Sequence, residues 1–354
     1  MLKEIRRAFH DSGAAIKNFF YWVPQATKHV IDETPSSLGH FKSWALSFRG
    51  GITFVSLIGL ILIPLITQNN YYTTLLIYAM IYAILAASWD FLAGIAGQVS
   101  FGHAAFLGIA GFTTAILISS YNCPPLLALL IGAITAMLFG LLIGIPCLRL
   151  KGPYLALGTL AFSIILFRLF MSSGWPIKQI SGLPKLSSQI NIFFIILGFM
   201  LLTFAFLHII TSSRAGKILK SIRDDEICAE ASGINTTKYK LLAFAVSAFV
   251  AGIAGALMVM VNTTAEYGLF DSQYSFYAIV MACIGGIGTI SGAIIGALLF
   301  QIISLISGYL PFLGEAQLLI LPIVLLIVIL AAEMGVLNPL IDNLKKLYDL
   351  LRRR

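Results

Sequence analysis

Long uninterrupted apolar runs set the strongest limit on how this chain can fold. Several of them approach about 20 residues, the length at which a helix crosses the hydrocarbon core of a bilayer. The chain is 59% hydrophobic and only 11% charged, whereas an ordinary soluble domain has about 25% charged residues. Runs such as LIYAMIYAILAAS are continuous and not alternating, which favours helices over membrane-spanning strands. The sequence therefore predicts an all-α polytopic membrane protein.

Ten apolar segments are candidate spans. The eighth is short for a crossing, and the glycine-rich residues 92–103 are a candidate for a segment that enters the membrane and returns, so we expect about 8–10 crossings. This divides the chain into an N-terminal extension (1–49), a transmembrane domain (50–333) and a basic tail (334–354). The candidate spans are 50–68, 71–91, 104–119, 125–146, 153–171, 191–211, 238–261, 274–287, 289–308 and 315–332.

The basic residues orient this arrangement. If the N-terminus is inside, all Lys and Arg residues except Arg168, Lys178 and Lys185 fall on the inner side, as the positive-inside rule requires. We therefore expect both termini to be cytoplasmic. The net charge of +8 is explained better by membrane orientation than by nucleic-acid binding, because the basic residues lie in short loops beside the spans.

Sequence motifs for catalysis are missing. The chain contains no GxxxxGK[ST], HExxH, GxSxG or CxxC pattern, and the four cysteines are scattered, so we predict no enzyme activity, no disulfide and no metal or cofactor site. If ATP drives this protein, another chain must hydrolyse it.

A polar segment, residues 212–235, separates two apolar runs and concentrates charges of both signs. Ile218, Leu219 and Ile222 recur at helical spacing and would form an apolar face. Gly233 is placed to end the helix. We interpret this segment as a docking element for a cytoplasmic partner; the alternative is a solvated loop whose charges only keep it in water.

Two glycine clusters indicate broken helices. The first, GIAGQVSFGHAAFLG, spans residues 94–108, and the second, IGGIGTISGAIIG, spans residues 284–296. Each follows one span and precedes another, which would fit two related halves with interrupted helices at corresponding places. Close helix packing and the lining of a transport pathway are both open explanations.

Four stretches carry a family resemblance: SWDFLAGIAGQVSFGHAAFLGIAGFTTAIL, PCLRLKGPYLALGTLAFSIIL, SRAGKILKSIRDDEICAEASGINTTKYKLLAFAVSAFVAGIAGALM and YSFYAIVMACIGGIGTISGAIIGALL. Together, in this order, they resemble permease subunits of ATP-binding cassette importers of branched-chain amino acids, the LivM type. The resemblance runs from about residue 75 to 330, beyond the N-terminal extension.

The resemblance implies a permease in the bacterial cytoplasmic membrane that translocates leucine, isoleucine and valine. Its implied partners are a second related permease, two cytoplasmic ATPase subunits and an external substrate-binding protein. The segment matching residues 214–235 resembles the loop that docks into the ATPase. The expected ATPase-docking residues are Ile222, Arg223, Asp224, Glu226, Glu230 and Gly233. The expected translocation-path residues are Gln98, Ser100 and His103, with the helix N-terminus beside them offering N–H groups to a substrate carboxylate.

Two departures from the family pattern leave alternatives open. The outer loop SSGWPIKQISGLPKL lacks the glycine-rich run usual in related permeases, and the same architecture serves importers of urea and short amides. Asp90 stands where the family commonly carries Asn; we interpret it as a carboxylate that reaches the cytoplasmic interface. The rival class is an ion-coupled secondary transporter in which Asp90, His103, His208 or Glu266 relays protons.

Overall fold

The structure, a computed structural model, describes residues 70–148, 150, 152–172, 179–184 and 188–308. Long helices dominate these residues, as the hydropathy predicts. In chain order the helices are α1 (Asn70–Asp90), α2 (His103–Tyr121), α3 (Pro125–Cys147), α4 (Pro153–Ser172), α5 (Gln189–Ser212), α6 (Arg214–Asp224), α7 (Glu226–Ala231), α8 (Thr236–Asn262), α9 (Ser272–Gly285) and α10 (Ile290–Gly308).

Six of the described helices, α1 to α5 and α8, are long and apolar enough to cross a membrane. A π-helical turn, Phe91–Ile95, continues α1. These helices confirm the predicted spans from 71–91 to 238–261. The predicted spans 50–68 and 315–332, the N-terminal extension and the basic tail lie outside the described residues.

The predicted spans 274–287 and 289–308 are one bent pair. The chain bends by 110° between helices α9 and α10, as in a broken span or a re-entrant loop. With 14 residues, α9 is about 21 Å long, which is short of the hydrocarbon thickness. In the described part of the chain, six helices are long and apolar enough to cross, or up to seven if this pair counts as one span.

The centre of the molecule is formed by α1 and α8. They have 83% and 89% of their most apolar windows buried, whereas α4 has only 22%. Helix α8 packs against α1, α2 and α3, and small residues allow this approach: a Cβ at Gly252 would lie 2.9 Å from Cα of Ala133 in α3. The outer helices expose large apolar side chains such as Leu142 and Leu157, as surfaces in contact with lipid do.

The polar segment forms two short helices, α6 and α7, which break at Asp225 (φ −156°, ψ 108°). At the other end of the spans, two three-residue strands pair antiparallel: β1 (Gln179–Ser181) and β2 (Thr264–Glu266), with Ile180 opposite Ala265. The sequence did not predict these strands, because three residues are too few to show a periodic pattern. The fold class remains all-α.

Candidate functional site

Helix α6 turns its apolar face toward the protein. Leu219 is fully buried and Ile222 is 3% exposed, and both lie on the side of α6 that contacts α5 and α8. We expected this face to seat in a partner. In this structure Ile222 instead attaches the polar segment to its own membrane helices, because the apolar stripe of an amphipathic helix is buried wherever a core is available.

The charged residues expected to dock mostly hold the polar segment in shape. Arg223 binds Oδ1 of Asp224 through Nε (3.0 Å) and Nη2 (2.8 Å). Glu226 pairs with Nζ of Lys240 at 2.6 Å; because the Lys240 side chain is only 7% exposed, its charge needs this partner.

The remaining two expected docking residues also have internal roles. Glu230 accepts a hydrogen bond from the Thr236 hydroxyl at 2.7 Å. Gly233 has a φ of +81°, its N–H binds the Glu230 carbonyl at 2.9 Å, and it follows α7 as the predicted C-terminal cap does.

An exposed apolar residue on α7 is a docking candidate that the sequence analysis missed. Ile227 is 77% exposed, and Cys228 beside it is exposed too. The helical periodicity that groups Ile218, Leu219 and Ile222 breaks at Asp225, so Ile227 points away from the buried face. A large aliphatic side chain in water at the tip of a charged segment suits burial in the cleft of another protein.

Asp225 anchors this tip. Its Oδ1 accepts hydrogen bonds from the backbone N–H groups of Ile227 (2.9 Å) and Cys228 (3.0 Å), an N-cap of α7. The bond from the Cys228 amide is the largest cause that lowers the pKa of Asp225 below its ordinary value. In turn, the hydrogen bond and negative charge of Asp225 raise the pKa of the Cys228 thiol.

The three expected path residues all lie inside the protein in this conformation. Ser100 and His103 are fully buried, and Gln98 is 9% exposed. His103 Nε2 lies 2.9 Å from the Ser247 hydroxyl, which donates to the Ser88 carbonyl at 2.9 Å. His103 therefore connects α2 to the two central helices.

Three amide groups at or just before the start of α2 bind protein side chains. The N–H of Ala104 binds the Ser275 hydroxyl at 2.8 Å, and the N–H of Gly102 binds the Ser100 hydroxyl at 3.2 Å. The N–H of Phe101 binds Oγ1 of Thr159 at 3.0 Å. Side chains from α4 and α9 therefore bind two of the amides at which we expected a substrate carboxylate, and a substrate would have to displace them.

Asp90 does not reach the membrane interface, which corrects our interpretation. The residue is 1% exposed, and its Oδ1 accepts a hydrogen bond from the N–H of Gly288 at 2.6 Å. The two glycine clusters of the sequence therefore meet: a Cβ at Gly94 would lie 2.5 Å from the Gly288 nitrogen. A carboxylate beside a span end gives no sequence signal for a partner 198 positions away.

A cluster of aromatic side chains joins α1, α9 and α10. The ring of Tyr82 lies 6.3 Å from Tyr277 and 6.1 Å from Phe300, and Tyr78 donates to Oδ1 of Asn262 at 2.5 Å. Unlike Ser100 and His103, Tyr78 and Tyr82 of α1 are only half-buried. The sequence analysis did not single them out.

No group of three or more metal-ligating side chains occurs among the residues that the structure describes. Crossing helices, a bent helix pair and a polar segment outside the apolar core define a polytopic membrane protein. The chain belongs to the family described as branched-chain amino acid transport system / permease component, which it matches over residues 71–330.

The sequence identity between this chain and its individual relatives is low. The chain is 27% identical to the high-affinity branched-chain amino acid transport system permease protein LivM of Salmonella typhimurium, over 63% of this chain and 60% of the relative. It thus spans less than two thirds of that relative's length. It is 25% identical to the nucleoside ABC transporter permease protein NupC of Lactococcus lactis, over 75% of this chain and 90% of the relative. It is 33% identical to the branched-chain amino acid permease LivH of Escherichia coli, over 27% of this chain and 30% of the relative. No solved structure matches the chain significantly.

Proposed function

We propose that this chain is the membrane permease subunit of an ATP-binding cassette importer for branched-chain amino acids. The observation that carries the proposal is the family match over residues 71–330, which includes every described crossing helix and the polar segment. Similarity to both LivM and LivH supports a second, related permease as a partner. Two ATPase subunits and an external binding protein complete the proposed importer, in a bacterial cytoplasmic membrane.

The polar segment is the proposed attachment point of the ATPase. Its exposed surface carries Ile227 and the Asp224 carboxylate, whose side chain is 66% exposed, while its buried face is fixed to the membrane helices. A partner that grips Ile227 would therefore move those helices. Glu226, Glu230 and Gly233 support docking by keeping α7 in the orientation that presents Ile227.

Substitution at the tip tests this docking. We expect Ile227→Asp to remove co-purifying ATPase subunits and to abolish uptake, because a charge would enter an apolar cleft. The neighbouring Cys228→Ser variant is the matched control and should retain both. Glu230→Lys, or a bulky residue at Gly233, should likewise abolish transport while the protein stays in the membrane. Normal ATPase binding and uptake in Ile227→Asp would exclude the assignment.

Gln98, Ser100 and His103 remain the proposed residues of the translocation path, in a conformation other than this one. Their segment would have to separate from Thr159 and Ser275 to reach a substrate. Uptake that is unchanged in a Gln98→Ala/His103→Ala double variant would rule this out. Tyr78 and Tyr82 are only half-buried, so a smaller conformational change would bring them into contact with a substrate.

Substrate and energy source are tested together in proteoliposomes that contain the permeases, the ATPase subunits and the binding protein. We expect leucine uptake that requires ATP and survives a proton uncoupler. Uptake of a nucleoside in preference to leucine would favour the activity named for NupC, and urea or a short amide would indicate the other alternative. Uptake that persists with a hydrolysis-dead ATPase but collapses with the uncoupler would establish the ion-coupled rival.

A further inference from the structure

One side chain of the polar segment reaches into the membrane domain. Nη1 of Arg223 donates a hydrogen bond to the Gly94 carbonyl oxygen at 2.8 Å. The opposite edge of the same guanidinium is held by the carboxylate of Asp224, which fixes the plane of the group and directs Nη1 inward. Such charge-assisted bonds are stronger than neutral ones, so α6 is tied to the end of the π-helical turn.

Glycine makes this contact possible. Gly97 has a φ of +70°, and a Cβ there would lie 2.8 Å from Cγ of Arg223. A Cβ at Gly94 would lie 2.8 Å from Cα of Gly288. The backbone at residues 94–97 is therefore in close contact with α6 on one side and with the connection between α9 and α10 on the other.

The second contact is fixed by Asp90. Its carboxyl group binds the N–H of Gly288 through Oδ1, whereas Oδ2 is buried without a hydrogen-bond partner among the described residues. Burial of an unsatisfied carboxyl oxygen is unfavourable, so this position costs stability. The bond it makes lies at the bend itself, where Gly286 and Gly288 both have positive φ (104° and 79°).

We propose that Arg223 and Asp90 are positioning residues that transmit movement of the polar segment to the bent helix pair α9–α10. The route runs from Arg223 to the Gly94 carbonyl, through the π-helical turn that Asp90 precedes, and from the Asp90 carboxyl to Gly288. This inference rests on the proposed function, because it assigns a mechanical role to a segment that an ATPase would move. Neither residue contacts substrate in this role.

The test measures coupling, which is the amount of leucine taken up per ATP hydrolysed, and not uptake alone. Leucine uptake and ATP hydrolysis are measured together in proteoliposomes that contain the complete importer. For Arg223→Ala and Asp90→Ala we expect uptake per ATP hydrolysed to fall by about tenfold, the effect of losing one charge-assisted hydrogen bond. ATPase subunits should still co-purify, and hydrolysis should stay within about twofold of the parent protein. A purely structural role would lower uptake and hydrolysis in proportion.

Two control variants and one double variant complete the experiment. Asp90→Asn keeps an acceptor oxygen for Gly288 and should preserve coupling. Lys217→Ala removes a positive charge from an exposed position of the same helix and should preserve coupling too. Because both contacts belong to one route, the Arg223→Ala/Asp90→Ala double variant should be no worse than the more impaired single variant.

Three results would overturn the inference: unchanged coupling in both single variants, a proportional fall of uptake and hydrolysis, or equal damage by Asp90→Asn and Asp90→Ala. Fully additive losses in the double variant would also contradict a shared route. A parent importer whose uptake needs no ATP is a different outcome, because it would refute the proposed function before any variant is compared.

Discussion

At the residue scale, Asp225 and Cys228 form a hydrogen-bonded pair at the tip of the polar segment. The pKa of Asp225 is lowered, so the cap's contribution to stability is fully present above the ordinary carboxyl pKa. It is lost as the pH falls through the lowered value of the folded protein. At neutral pH the cap is therefore intact, and the raised pKa of Cys228 keeps its thiol protonated.

This pairing predicts the reactivity of Cys228. We expect Asp225→Asn to speed alkylation of Cys228 by iodoacetamide several-fold at neutral pH, because removing the negative charge stabilises the reactive thiolate, while Asn still caps the helix. Peptide mass spectrometry would measure the rate between about pH 7 and 9. Asp224→Asn, which removes the same charge from a residue bound to Arg223, is the control and should leave the rate unchanged. Equal alkylation rates in the parent protein, Asp225→Asn and Asp224→Asn would refute the pairing of Asp225 with Cys228.

At the element scale, the bent pair depends on glycines that bring two helices together. A Cβ at Gly296 of α10 would overlap the carbonyl oxygen of Met281 in α9, and a Cβ at Gly285 would overlap that of Gly292. Lipid is as apolar as the helix side chains, so hydrophobic burial does not drive helices together in a membrane. Close packing between small residues, as in these two contacts, stabilises their association instead. The glycine spacing seen in the sequence therefore serves close packing between α9 and α10.

Two alanine substitutions separate packing from helix propensity. Gly296→Ala should destabilise the protein by about 1–3 kcal/mol, because the helices must move apart to admit the methyl group. A Cβ at Gly198 of α5 would meet no atom within 4 Å, so Gly198→Ala should be neutral or stabilising by about 0.5–1 kcal/mol. Apparent melting temperatures of the purified variants in one detergent provide the measurement. A higher melting temperature for Gly296→Ala would show that α9 and α10 do not pack in this way.

At the scale of the whole molecule, the crossing helices determine which loops share a side of the membrane. Three crossing helices, α3, α4 and α5, lie between the end of α2 and the polar segment. Tyr121, which ends α2 and is 74% exposed, must therefore lie on the opposite side of the membrane from Ile227. The distribution of basic residues predicts that the polar segment lies in the cytoplasm.

A labelling experiment checks this orientation. In intact cells, a membrane-impermeant maleimide should label Tyr121→Cys, in a background that carries Cys123→Ser. It should label native Cys228 only after permeabilisation, because the bilayer separates the two sites. Labelling of both cysteines from outside would contradict the alternation of the spans, and the reverse pattern would invert the orientation.

The sequence by itself determined the helices, most of their bounds, the polar segment and the family. It did so because a bilayer demands long apolar helices and because charges must remain in water, and both requirements are local. Only the tertiary structure decided that Ile222 faces inward, that Ile227 faces out and that Asp90 binds Gly288. Arg223 and Gly94 are 129 positions apart, and their contact depends on how packed helices place two backbones. No periodicity along the chain encodes such a pairing, because each partner taken alone satisfies the same local rules.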